Sequence, residues 1–253
     1  MKILLGGALG RMGREVTAAA AEAQVEIVCG VDVAYTGQPS DYPIVTAFDQ
    51  ATQKADVLID FSRPSALPEL LQLVRKEKMP AVLCTTGYNE AELQMIEEAS
   101  REIPVFRSAN MSLGVNVLRH LVQEVARALG EDFDVEIVER HHRMKADSPS
   151  GTALMLYDSV KEATETLRQP VFGRYGRTAQ RQPGEVGIHA VRGGTITGEH
   201  EVCFYGDGEE LILTHRAEKR SLFARGALRA AAFLMDKPAG KYDMQDLIEE
   251  MLR

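Results

Sequence analysis

Over the first hundred residues, short apolar runs alternate with stretches in which apolar positions recur every three or four residues. Lys2 to Leu5, Val25 to Val33, Asp56 to Phe61, Ala81 to Thr85 and Val105 to Ser108 read as strands. Arg11 to Ala23, Ala66 to Lys76 and Glu90 to Ser100 read as amphipathic helices. This succession predicts a parallel sheet with helices on both faces, because parallel neighbours need a long crossover and the crossover helix covers the sheet. Asp41 to Asp49, marked by Pro39 and Pro43, is a looser connection.

After Asn110 the pattern changes. A helix is expected from Val115 to Leu129, a strand from Asp134 to Glu139, a second helix from Thr152 to Leu167, and then a loop rich in Gly, Arg and Gln from Gly173 to Gly187. Ile188 to Arg192, Glu199 to Tyr205 and Glu210 to His215 follow as strands, with Gly193-Gly194 and Asp207-Gly208 as turns, which predicts a mixed or antiparallel sheet. Leu222 to Leu234 and Met244 to Leu252 close the chain as helices. Two domains are therefore expected, residues 1–111 with 222–253, and residues 112–221. The joints near 111 and 221 are short and read as hinges that let the domains close over a ligand.

Composition narrows the function classes. The 253 residues are 45% hydrophobic and 26% charged, an ordinary globular balance. A formal net charge of -8 argues against nucleic acid as a partner, since backbone-driven binders carry a basic footprint. No run approaches the roughly 18 apolar residues of a membrane span, and Met1 to Gly6 opens as a strand rather than a signal peptide, so no membrane partner is expected and the chain reads as cytoplasmic. The three cysteines, Cys29, Cys84 and Cys203, are too dispersed for a disulfide framework or a zinc site.

Gly7-Ala8-Leu9-Gly10-Arg11-Met12-Gly13 follows the first strand and opens the first helix. Glycines there allow a tight turn and close backbone approach to a pyrophosphate, while the helix start offers N–H groups and partial positive charge. The spacing GxxGxxG is a weak signal alone and gains its meaning from that strand-to-helix position. Asp32 stands 19 positions after Gly13, where a carboxylate can bond the adenosine ribose hydroxyls. Val33 follows it, so no adjacent cation is supplied for a 2′-phosphate, and NADH is preferred with NADPH possible through Arg11. Phe61-Ser62-Arg63-Pro64, Cys84-Thr85-Thr86-Gly87 and Ser108-Ala109-Asn110-Met111 fall at the carboxyl ends of other strands and outline one cleft. The fold class is α/β: an N-terminal Rossmann-type doubly wound parallel sheet, with a second α+β domain carrying a mixed or antiparallel sheet.

The stretch Glu139 to Ala153 sets His141, His142 and Lys145 at a strand end and delivers Ser150-Gly151-Thr152 to a helix start. That helix start is an anion site suited to a carboxylate or a phosphate, and Lys145 and His142 add charge-assisted bonds, so an acidic substrate is implied. Plainer readings stand beside this one. Ser150-Gly151-Thr152 is equally an N-cap and first turn, and His141 a core histidine. Adjacent histidines are sometimes metal ligands, but no Cys or acidic partner stands at suitable spacing, and no metal is expected.

These residues resemble the dihydrodipicolinate reductase family over the whole chain. The resemblance is carried by Gly7 to Gly13, Phe61 to Pro64, Thr85-Thr86-Gly87, Ser108 to Met111 with Gly114-Val115-Asn116, and above all His141-His142 through Lys145 to Ser150-Gly151-Thr152-Ala153. It implies NAD(P)H-dependent reduction of 4-hydroxy-tetrahydrodipicolinate, a small dicarboxylate, in the diaminopimelate route of lysine biosynthesis. By the same resemblance His141 is the general acid, Lys145 a second proton donor, and His142, Gly151 and Thr152 the carboxylate holders. Thr86 falls among the family's substrate and nicotinamide contacts, and the dinucleotide contacts map onto Gly7 to Met12, Asp32, Cys84 to Thr86 and Ser108 to Met111. Residues 1–111 with 222–253 would then bind the dinucleotide, and 112–221 the substrate, with a homotetramer built through that second domain. Met144 stands where some members have histidine and Cys84 where others have glycine. Two rivals remain: another dehydrogenase of an acidic metabolite, and a dinucleotide sensor that does no chemistry.

Overall fold

The first strand, β1 (Lys2–Gly6), is apolar on both sides and buried from Ile3 onward, as a central strand of a parallel sheet must be. In this computed structural model, which describes residues 1–164 and 168–252, it leads into α1 (Arg11–Glu22) and β2 (Glu26–Val31). There follow β3 (Ile44–Val45), β4 (Val57–Asp60), α2 (Leu67–Glu77), β5 (Ala81–Leu83), α3 (Glu90–Ser100) and β6 (Pro104–Arg107). α3 begins with a capping box in which Asn89 and Glu92 satisfy each other's backbone N–H groups. Next come α4 (Leu113–Leu129), β7 (Asp134–His141), α5 (Gly151–Ala163), β8 (Gln169–Val171), β9 (Glu185–Arg192), β10 (Gly198–Tyr205) and β11 (Glu210–Ala217). The chain ends with α6 (Ser221–Leu234), β12 (Gly240–Tyr242) and α7 (Met244–Leu252).

Two compact units result, Met1–Leu113 with Arg220–Arg253, and Gly114–Lys219. The first contains a seven-stranded sheet of order β12-β6-β5-β4-β1-β2-β3, parallel at every pairing. Alternate residues of its strands enter separate cores because successive side chains leave a strand on opposite faces. Ile3, Leu5, Ile59 and Phe106 pack with Val16 and Ala20 of α1, Ala227 and Ala231 of α6, and Leu247 of α7. Leu4, Leu58, Leu83 and Val105 pack with Leu70 and Val74 of α2 and Ile96 of α3. The second unit has a mixed five-stranded sheet, β11-β10-β7-β9-β8, antiparallel around β10 and parallel from β7 to β8. One of its faces, through Val135, Ile137, Ile188, Val202 and Phe204, packs against Leu118 and Val122 of α4 and Leu156 and Val160 of α5.

The fold class is the one the hydrophobic pattern predicts. Several boundaries are not. α5 stops at Ala163 rather than Leu167, with Thr164 already extended, and Glu165 to Leu167 lie outside the described residues. The loop expected over 173–187 contains the start of β9, and β3, β8 and β12 arise where no strand was expected. Those three strands are two or three residues long, too short for a period to register, and form because a neighbouring edge supplies their hydrogen bonds. Among the described residues, no helix is long and apolar enough to cross a membrane.

Candidate active site

Strand order reverses on the two sides of β1, with β4 on one side and β2 on the other, which is where open α/β sheets take ligands at their carboxyl ends. Gly7 leaves β1 with φ +73°, and a Cβ there would lie 2.6 Å from the Phe61 carbonyl oxygen. A Cβ at Gly13 would run into the backbone of Gly7 and Ala8. Gly10 is the N-cap of α1 and offers no side-chain cap, so the first-turn N–H groups stay available to an anion. A close-approaching, uncapped turn of this kind fits a pyrophosphate.

Asp32 follows β2 and reaches back to that turn. Its Oδ2 accepts the Leu9 N–H at 2.9 Å and its Oδ1 the Ala34 N–H at 2.9 Å. Beside it lies a cavity of about 300 Å³ lined by Gly7, Gly10, Asp32, Arg63 and Glu69, with Thr46 to Phe48 from the stretch after β3. A second cavity of about 510 Å³ gathers Arg11, Met12, Arg63, Cys84, Thr85, Thr86, and Ser108 to Met111. The structure therefore unites most residues named for the dinucleotide. Ala8, Leu9 and Gly13 line neither cavity; Ala8 is buried in the core and Gly13 in the first turn of α1.

Arg220 and Phe223, at the start of α6, also line the larger cavity and were missed, since nothing local in a helix start more than a hundred residues away marks it. Beneath the rim, buried Asp60 accepts the Thr85 hydroxyl at 2.7 Å and the Ser62 N–H at 3.2 Å. Burial raises the Asp60 pKa against those bonds. Burial, then the nearby Asp60, pushes the Cys84 thiol well up, so it is a thiol and not a thiolate at neutral pH.

In the second unit, β7 ends on His141, whose ring is mostly buried and stands edge-on to His200 of β10 at 5.1 Å between centroids. His141 Nδ1 lies 2.6 Å from Glu139 Oε2. An ionised carboxylate only accepts, so Nδ1 carries the hydrogen. Glu139 is wholly buried, and Arg192, opposite His141 in the pairing of β7 with β9, forks onto its two oxygens at 2.7 Å each. Arg192 also donates to the Asp147 carbonyl at 2.7 Å, and Ser150 N–H donates to Glu139 Oε1 at 3.0 Å. Ser150 caps α5, its Oγ accepting from Ala153 N–H at 3.1 Å, and touches His200 Nε2 at 3.0 Å. Lys145 Nζ is 2.8 Å from Asp147 Oδ1.

His142 is half-buried, and its side chain has no hydrogen bond among the described residues. Gly151 is exposed with open space around it, and Thr152 is half-buried. Ser150 is thus an N-cap, as the plain reading had it, and is joined to the proton-carrying cluster as well. Met144 is 81% exposed, so its departure from the family pattern disturbs no packing. Glu139 stood inside the segment singled out from the sequence, but Arg192 and His200 were missed. They arrive from other strands and carry no local motif.

Charges in the cluster are balanced unevenly. Burial opposes ionisation of Glu139, but hydrogen bonds from Arg192, His141 and the Ser150 amide outweigh it and hold the carboxyl below its ordinary range. His141 is held below its own ordinary value by burial first, against the raising effect of Glu139 and with further lowering by Lys145 and Arg192. Burial and the neighbouring His141 bring His200 down to about 3, so it is neutral at physiological pH. The largest cause, burial, comes only with folding, and Arg192 is brought in from another strand.

Family models for the N-terminus and the C-terminus of dihydrodipicolinate reductase match residues 1–111 and 114–248. The 4-hydroxy-tetrahydrodipicolinate reductase of Caldanaerobacter subterraneus subsp. tengcongensis is 49% identical over 251 residues, covering 99% of both chains. That of Zymomonas mobilis subsp. mobilis is 41% identical over 250 residues, covering 98% of this chain and 97% of the other. Among solved structures, a dipicolinate-bound dihydrodipicolinate reductase from a Paenisporosarcina species aligns with TM-score 0.78 at 22% identity, covering 96% and 97% of the two chains. With both halves matched by family models and relatives this similar along its whole length, the chain belongs to the dihydrodipicolinate reductase family of oxidoreductases.

Proposed function

We propose that this chain reduces 4-hydroxy-tetrahydrodipicolinate to tetrahydrodipicolinate in the diaminopimelate route of lysine biosynthesis. The observation that carries the reading is the loop joining β7 to α5, which sets a carboxylate-paired histidine and a lysine beside a helix start. The relatives' shared name and the dipicolinate held by the Paenisporosarcina enzyme support a small dicarboxylate substrate.

Substrate carboxylates are held by the N–H groups of Gly151 and Thr152 and the Thr152 hydroxyl, with His142 and Thr86 adding bonds, while Ser150, its N–H given to Glu139 and its Oγ to the Ala153 N–H, sets the helix start that presents them. Reduced nicotinamide, when bound, supplies the hydride. His141 gives a proton from Nε2, and Lys145 stabilises developing charge or helps a hydroxyl leave as water. Because burial, Lys145 and Arg192 hold the free His141 low, the arrival of a dianion beside it favours its charged form and couples proton donation to occupancy.

Gly7 to Gly13, Asp32, Arg63, Cys84 to Thr86 and Ser108 to Met111 bind the dinucleotide. The carboxylates of Asp32 and Glu69 outnumber the single cation, Arg63, among the described residues beside one cavity, which supports NADH over NADPH. The face of the second sheet turned away from α4 and α5 carries exposed Val191, Tyr205 and Ile212, which supports assembly of a homotetramer through residues 112–221. The enzyme works in the cytoplasm. The test is consumption of NADH or NADPH, followed by absorbance, with the product of dihydrodipicolinate synthase as substrate. Turnover with that product and with no other dicarboxylate is expected. Binding of NADH without consumption makes the chain a sensor and ends the proposal.

A further inference from the structure

We propose that Glu139, paired with Arg192, is the positioning residue of the proton donor: it turns the His141 ring so that Nδ1–H points inward and Nε2 outward. The proposal rests on the reading of His141 as that donor. Three observations converge on it. Both oxygens of Glu139 are engaged, Oε2 by His141 Nδ1 and by Arg192, and Oε1 by Arg192 and the Ser150 amide. One buried carboxylate therefore ties the proton donor to the start of the anion site, and Arg192 extends the tie to the intervening loop through the Asp147 carbonyl.

The other side of the ring is kept clear. His141 Nε2 has no hydrogen bond among the described residues, yet is not among the sealed, unpartnered polar atoms, so it reaches the surface. Gly198 of β10 faces it, and a Cβ on Gly198 would stand 3.0 Å from Nε2. An imidazole fixed at one nitrogen by a carboxylate has its tautomer chosen for it, and the second nitrogen becomes the one that exchanges protons. The charged and titratable groups facing His141 are Glu139 on its own strand, Arg192 on β9, His200 on β10 and Lys145 on the loop. Glu139 alone is anionic, and alone favours the imidazolium.

The experiment is nitrogen-15 NMR of histidine-labelled full-length protein, wild type and Glu139→Gln, assigned with His141→Asn, together with pH profiles of kcat and kcat/KM. In the wild type the neutral ring carries its hydrogen on Nδ1. In Glu139→Gln the Nε2–H form is populated and the His141 titration moves down by about one pH unit. The high-pH fall of kcat/KM moves down with it, since the protonated ring is the active one. At neutral pH kcat drops about 10²-fold, within what general-acid catalysis contributes, while KM changes less. Glu139→Asp, which keeps the charge, recovers most of the titration shift.

A wild-type ring with its hydrogen on Nε2 overturns the proposal without any variant, so a misfolded Glu139→Gln does not protect it. An unchanged tautomer and titration in a folded Glu139→Gln overturns it too. If the ring shifts as expected but kcat and its profile stay put, the carboxylate orients His141 and His141 is not the donor, which sinks the underlying reading instead. Gly198→Ala probes the open side: kcat falls with the Nδ1–H tautomer unchanged, and undiminished kcat counts against Nε2 as the exchanging atom.

Discussion

Around the glycine loop, the groups offered to a ligand are main-chain N–H groups whose direction follows from the chain path; around His141 they are side chains whose partners sit on other strands. The first site needs only Gly7, Gly10 and Gly13 at the right offsets and a helix that starts on time. The second needs Glu139, Arg192, His200 and Ser150 to meet, and three strands and a helix contribute them. The contrast matches the two tasks. Holding a pyrophosphate asks for a fixed cradle of partial charge, whereas moving a proton asks for a group whose affinity for it is set by neighbours.

Breaking each side separates them. The largest effect is expected for His141→Ala: kcat lower by about 10² to 10⁴-fold with NADH affinity unchanged, read by steady-state kinetics beside circular dichroism. Gly13→Ala does the reverse, destabilising the first unit by about 3 kcal/mol because the added carbon meets unyielding backbone, and weakening NADH binding in calorimetry. Thr152→Ala and His142→Ala are expected to raise the substrate KM about tenfold with kcat kept, each removing a bond to a carboxylate. An unaltered KM in both would move the anion site elsewhere.

A subtler comparison sets free enzyme against the substrate complex. The protonated form of His141 is lost as pH rises through its pKa, which burial holds low in the free protein, and the proposed mechanism has a bound dianion raise it. The high-pH fall of kcat should therefore sit about one unit above that of kcat/KM, and coincident limbs would deny the coupling. The smallest effect belongs to Asp32→Asn, expected to shift the NADPH-to-NADH affinity ratio upward about threefold by removing a charge that repels a 2′-phosphate.

Legibility followed the same division. β1, α1 and the loop between them are visible as an apolar run, a turn and an amphipathic stretch, so the elements of the proposed dinucleotide site were readable from contiguous residues. His141, Lys145 and Ser150 were readable for the same reason, lying within one loop. Arg192 and His200 were not, because their roles depend on the register of β9 and β10 against β7, which no local pattern encodes. Nor was the lowered pKa of His141 readable, since its causes are burial and cations brought by folding.

By itself, the order of residues determined the alternation of strands and helices, the glycine-rich turn between β1 and α1, and the loop that carries two histidines, a lysine and a capped helix start. These depend on backbone sterics and on contacts a few residues apart. Only the tertiary structure decided which nitrogen of His141 holds a hydrogen, which cation balances Glu139, and that Gly198 leaves the ring open. Those outcomes depend on distances between strands far apart in sequence, where a buried charge must find its partner or lose its ionisation.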